Sequence, residues 1–302
     1  MVIEMKHKGL LIALVIILLA GGAFLFGMAV SLVAGGGSGS LSWPGGGKVG
    51  VVTVDGAIIS ADTLVDELEG FRKEDGIKSV VLRIESPGGS VAASQEILEA
   101  VRKLAAKKPV VASMGSVAAS GGYYVSCGAT RVLANPGTIT GSIGVRMEHV
   151  MLGDLLSWAK IRHETLKSGR MKDMGSFDRP MTPEERAILE GMLSDIHEQF
   201  KDEVAKSRNL PREKVDELAD GRVYTGRQAL DLGLVDKLGG LDEAVELAAT
   251  LGGIKGEPKI VRPKKRSPLI ERLVGVAGDL AGRAQAAAVV ETRRPMLMMG
   301  YD

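Results

Sequence analysis

From Lys48 onward the apolar residues fall into two alternating rhythms. Val49 to Val54 is apolar and β-branched with almost no polar interruption, which predicts a strand buried on both faces. Ala61 to Arg72 has its apolar residues at helical spacing. Ser79 to Ile84 predicts a second strand, and Ser90 to Ala106 a helix with Ile97, Leu98, Val101 and Leu104 on one face. Pro109 to Ser113 predicts a third strand, Ser120 to Cys127 a short helix and Arg131 to Ala134 a fourth strand. Strand and helix in alternation predict an α/β fold with a largely parallel sheet and right-handed crossovers. Beyond Gly141 the rhythm becomes helical: Val150 to Ala159, then a long helix over Thr182 to Ser207, then two short helices within Leu218 to Leu251. Thr182 and Glu185 form a capping box at the start of the long helix. No internal repeat is long enough to suggest two copies of one domain.

The segment before Lys48 has a different character. No charged residue occurs between Lys8 and Lys48, and Leu10 to Ala34 is almost entirely apolar or glycine. At ~1.5 Å per residue that run is roughly 37 Å long, enough to cross a ~30 Å hydrocarbon core. It predicts a transmembrane anchor over residues 9–34; a cleaved signal peptide with Leu11 to Ala20 as its apolar core is the shorter alternative. Lys6 and Lys8 place residues 1–8 in the cytoplasm and the rest of the chain outside, at the plasma membrane. Residues 35–47, rich in Gly and Ser, are a linker; 48–255 is the folded domain; 256–302 is a basic, Ala/Gly-rich tail that ends in RRPMLMM.

Composition narrows the chemistry. The chain has 302 residues, 45% hydrophobic and 25% charged, which excludes global disorder. A net charge of +1 argues against nucleic acid as the main partner. The single cysteine, Cys127, excludes an intrachain disulfide and a cysteine-based metal site. The four histidines, His7, His149, His163 and His197, have no metal-ligand spacing, and the last three sit in charged helical contexts expected to be solvated surface. No metal or cofactor is expected, and a Ser-His-Asp site is disfavoured.

Two glycine-rich turns after strands carry the sharper signal. Ile84-Glu85-Ser86-Pro87-Gly88-Gly89-Ser90 ends a strand and opens a helix, so its amides can point at a developing oxyanion. Gly115 to Tyr124 sets Ser120 among small residues at a strand-to-helix turn, a setting that suits a nucleophile; Ser116 is the competitor. With histidine disfavoured, the base must be a neutral lysine, and Lys167 and Lys172 are both candidates that spacing does not separate.

The stretches IESPGGSV, MGSVAASGGYYVSC, NPGTITGSIGV, TLKSGRMKDM and ADGRVYTGRQALDLGLVDKLGG, in that order, resemble the signal peptide peptidase A family. These are membrane-anchored S49 serine proteases, and the resemblance is to their short form with one catalytic domain. It implies a ClpP/crotonase-like fold of repeated ββα units. It implies Ser120 as nucleophile, Lys172 as general base, Gly89 and Gly121 as oxyanion-hole donors, and Ser142 as the residue orienting the lysine. It further implies extended apolar peptides, cleaved signal peptides among them, as substrates. Self-association into a ring or dome, octameric where known, with serine and lysine from neighbouring protomers, is implied as well. A stomatin-type protease of the same clan, a non-catalytic membrane scaffold and a crotonase-like acyl-CoA enzyme are the competing readings.

Overall fold

The computed structural model describes residues 47–263. The predicted anchor over 9–34, the linker up to Gly46 and the tail beyond Pro263 lie outside the described residues. Among the described residues no helix is long and apolar enough to cross a membrane.

Among the described residues eight strands form one sheet: β1 (Lys48–Asp55), β2 (Ile77–Ser86), β3 (Val110–Ala119), β4 (Arg131–Ala134), β5 (Ile139–Gly141), β6 (Val223–Thr225), β7 (Lys237–Leu238) and β8 (Lys259–Val261). Their order is β6-β5-β3-β2-β1-β8, with β4 pairing β3 and β7. Every pair is parallel except β5 with β6. The helices are α1 (Asp62–Lys73), α2 (Val91–Ala105), α3 (Gly121–Ser126), α4 (Gly153–Trp158), α5 (Pro183–Arg208), α6 (Arg212–Leu218), α7 (Gly226–Asp231) and α8 (Leu241–Leu251).

The unbroken apolar runs are explained by burial on both faces. Val52, Val54, Leu82, Ile84, Ala112 and Met114 face one core with Ile97, Leu98, Val101 and Leu104 of α2. Val49, Val51, Val81, Val111 and Leu133 face the other, where Ala244, Val245, Ala248 and Ala249 of α8 cover them. The switch follows the strand period of two. Gly50 keeps this period too, because a Cβ there would lie 2.6 Å from the Phe71 ring.

The predicted elements of the first half are present within a few residues. The exception is β3, predicted to end at Ser113 but running to Ala119. Gly115, Ala118 and Ala119 have weak strand propensity; pairing with β2 and β5 holds them extended. The short strands β5 to β8 and helix α6 carry too little pattern to be predicted.

Candidate active site

β3 delivers Ser120 to the sheet's carboxyl edge, where α3 begins. Its backbone sits at φ 51°, ψ −120°, a conformation that a non-glycine residue adopts only when its surroundings impose it. They do: the Ser120 amide donates to the Gly141 carbonyl at 2.8 Å, and the Ser120 carbonyl accepts from Tyr124. The turn after β2 lies directly against it. A Cβ on Gly88, whose φ is +100°, would come within 2.6 Å of the Gly121 nitrogen and 2.9 Å of the Ser120 Cβ. A Cβ on Gly121 would lie 3.2 Å from the Gly89 nitrogen. The amides of Gly89 and Gly121 are therefore neighbours beside Ser120, and neither has a hydrogen-bond partner among the described residues. Two free amides flanking a strained serine can stabilise the oxyanion that forms on a carbonyl oxygen when that serine attacks it.

A cleft of about 930 Å³ opens over this point, lined by Ala57, Gly88, Gly89, Ser120, Ser142 and Gly144 among others. Ser142, at φ 52°, is held by its amide's bond to the Arg222 carbonyl. A smaller apolar recess adjoins it, formed by Val91, Tyr124, Val145, Ile196 and Phe200. Tyr124 and Phe200 meet edge to face at 5.0 Å. This recess has no signature within a single segment; Ile196 and Phe200, one turn apart on α5, are its local trace in the sequence.

Ser120, Gly89, Gly121 and Ser142 are thus brought together within one chain. Lys172 is not: it is exposed in a turn whose amide bonds the Gly169 carbonyl, and among the described residues no lysine lines the cleft. Lys167 is committed elsewhere, its Nζ 2.5 Å from Asp173 Oδ1. Ser116 is exposed on β3, and only its amide is engaged, by Glu85 Oε2 at 2.8 Å.

His163 is exposed as expected, whereas His149 and His197 are half-buried and depart from the expectation of solvated surface groups. His163 pairs with Asp178 at 3.0 Å, and His149 and His197 each bury an unpartnered Nε2. His197 lines the cleft, because that face of α5 turns inward over the serine. Asp220 lines it too, but Arg222 holds its carboxyl down at about 2. His197 bonds neither Asp220 nor Ser120, so the three do not form a relay. Cys127 is no rival nucleophile: burial pushes its thiol up to about 12 and keeps it protonated. Among the described residues no cluster of side chains could hold a metal ion.

The model for peptidase family S49 matches residues 102–255, and that for Clp protease matches 53–138. A Synechocystis protein named as a candidate protease is 42% identical over 250 residues, 81% of this chain and 89% of that one. The chloroplastic serine protease SPPA of Arabidopsis thaliana is 35% identical over 239 residues, 77% of this chain and 35% of that protein. Protease 4 of Salmonella typhi is 36% identical over 220 residues, 70% of this chain and 35% of its own length.

Proposed function

Because the chain belongs to peptidase family S49, as an SppA-type serine peptidase with an α/β Clp-protease-like fold, we propose that Ser120 is its nucleophile and that Lys172 of a neighbouring copy is its general base. The observation that carries this reading is a site complete in nucleophile and amide donors but without a base of its own. His197 makes no bond to the serine, and among the described residues no lysine reaches the cleft.

Neutral Lys172 takes the Ser120 proton as Oγ attacks a peptide carbonyl, and the Gly89 and Gly121 amides take up the oxyanion. The lysine then gives its proton to the leaving amine. A water, deprotonated by the same lysine, hydrolyses the acyl-enzyme, and Ser120 recovers its proton. Ser142 orients the lysine from the cleft wall. No metal or cofactor enters these steps.

Self-association into a ring or dome, eight copies by resemblance, is supported by the chain segment between Ser142 and Lys172. Met147, Val150, Met151, Leu155, Trp158, Ile161 and Leu166 are exposed there, Trp158 by 82% and Leu166 by 91%. A run of exposed apolar side chains on a short arm is the mark of an interface. The proposed substrates are cleaved signal peptides and other extended apolar peptides; the recess of Val91, Tyr124, Val145, Ile196 and Phe200 suits an apolar side chain. The apolar run from Leu10 to Ala34 supports a membrane-anchored enzyme with its catalytic domain outside the cytoplasm.

The test uses the full-length chain in detergent micelles and a fluorogenic apolar peptide. Ser120→Ala and Lys172→Ala each lose about 10³-fold or more in kcat, whereas Lys167→Ala stays within about threefold. An equal mixture of the two inactive variants, refolded together, regains roughly a quarter of wild-type activity, the share of sites pairing an intact serine with an intact lysine. An active Lys172→Ala protein sinks the assignment of the base, and an inactive mixture sinks the sharing between copies.

A further inference from the structure

The strands that carry the two halves of the site do not run in step. From Ile84 to Ser86 β2 advances two residues, while β3 opposite advances four, from Met114 to Ala118. Two extra residues of β3 are therefore looped out in the Gly115–Val117 stretch. Below this point β3 pairs with β4, through Val111 to Met114; above it β3 pairs with β5, through Val117 to Ala119. The bulge is where the strand changes neighbour, four residues before the nucleophile.

One side chain fills it. Glu85 Oε2 accepts the Ser116 amide at 2.8 Å, and Oε1 accepts Arg83 Nη2. Arg83 Nη1 in turn donates to Ser113 Oγ at 3.1 Å, on β3 just before the bulge. The fit admits no side chain opposite: a Cβ on Gly115 would overlap both the Glu85 carboxylate and Arg83 Nη2. On its far side the bulge is closed by Thr138, whose Oγ1 donates to the Gly115 carbonyl at 2.6 Å. Glu85 is also the residue before Ser86, whose hydroxyl accepts the Gly88 amide at 3.1 Å at the entry to the oxyanion turn.

We infer that Glu85 is a positioning residue: its carboxylate fixes how far β3 advances past β2, and so where Ser120 stands relative to the Gly89 and Gly121 amides. This rests on Ser120 being the nucleophile and those amides the oxyanion donors. A bulge has no repeating ladder to set its length, so the bond to the Ser116 amide and the Arg83 bridge take over that task. Without the carboxylate, the Ser116 amide loses its acceptor and the advance of β3 is no longer defined. An error of about 1 Å between nucleophile and oxyanion donors is enough to slow acylation strongly.

The experiment compares wild type, Glu85→Ala, Glu85→Gln and Glu85→Asp in the full-length chain. Active sites are counted by labelling Ser120 with a fluorophosphonate probe. Glu85→Ala is expected to lose about 10-fold or more in kcat per labelled site, with KM within about twofold and the labelling rate falling in parallel. Glu85→Gln, whose amide oxygen can still accept the Ser116 N–H but whose NH2 cannot accept from Arg83, recovers part of that loss. A side chain with only a structural role would lower the melting temperature and the number of labelled sites but leave kcat per site unchanged, and that result overturns the inference. Should Glu85→Ala not accumulate, Glu85→Asp decides: one methylene short, it cannot span Arg83 and Ser116 together, and wild-type kcat per site would refute the role. If wild type itself is not labelled at Ser120, the nucleophile assignment fails rather than the role of Glu85.

Discussion

Lys108 is only 7% exposed, yet it is a cation, and its three N–H groups explain its place. Nζ donates to the carbonyls of Phe71 and Glu74, both at 2.6 Å, where α1 ends with acceptors that no helical amide can reach. Burial lowers its pKa, but the two carbonyls reward the charged form. Replacing it with methionine keeps the stem and removes the donors. Lys108→Met is expected to cost about 1–3 kcal/mol of stability in denaturant unfolding, with kcat unchanged. Gly89 makes the opposite kind of demand. A Cβ there would overlap the Ile58 carbonyl, which already accepts the Ser90 amide at 2.7 Å. Gly89→Ala therefore moves the turn that presents the oxyanion amide. Its expected outcome is a fall of about 100-fold or more in kcat with the far-ultraviolet dichroism unchanged. Gly88 and Gly89 are legible in the sequence as a turn able to present amides, and Gly121 as a donor only through the family resemblance. Glu85 and Gly115 are not legible, because their fit depends on two extra residues in a neighbouring strand.

At the scale of the element, the start of α5 shows what local sequence can and cannot reveal. The capping box is present as predicted: Thr182 Oγ1 accepts the Glu185 amide at 3.2 Å, and Glu185 Oε2 accepts the Thr182 amide at 2.9 Å. Both partners lie within one turn, so spacing alone identifies them. The ion-pair chain built on it was not legible. Arg179 bridges Glu185, at 2.6 Å, to Asp173, at 3.1 Å, and Asp173 holds Lys167. It ties the turn that carries Lys172 to the long helix through a loop with no periodicity. β3 teaches the same lesson, since its second half is held by neighbours rather than by its own propensity. A pH dependence follows from the cap. Arg179, and then the Thr182 amide, hold the Glu185 carboxyl at about 2 instead of the ordinary 4.5. The unfolded chain takes up that proton first as pH falls, so the stabilisation is complete above about 4.5 and is lost between about 4.5 and about 2. Glu185→Gln should melt lower at neutral pH and show a flatter acid limb; a limb parallel to wild type would exclude this group as its source.

At the scale of the whole molecule, the sequence pattern reached the parallel sheet and the serine with its glycines, because each is encoded within one chain segment. It did not reach the turned-in face of α5, which puts His197 on the cleft, or the apolar recess beside it, because both depend on how a helix packs across the sheet's end. What it implied through resemblance, a base from another copy, has a physical correlate in the arm from Met147 to Leu166. Leu155 and Trp158 on α4 are 56% and 82% exposed, so the fold of one chain gains little from them. If the arm docks on a second chain, Leu155→Glu with Trp158→Glu places two charges in that contact without touching the core. The double variant is expected to keep the wild-type melting temperature within a few degrees at a dilution where both proteins are single chains. It should sediment as a smaller species at working concentration and lose activity in proportion to the assembly it fails to form. Wild type should show the same loss on dilution alone, and its activity per chain should rise with concentration along the same curve as its mass. A double variant that sediments as wild type would remove the arm from the interface. A small species that still cleaves the peptide at the wild-type rate would show that one chain holds a complete site.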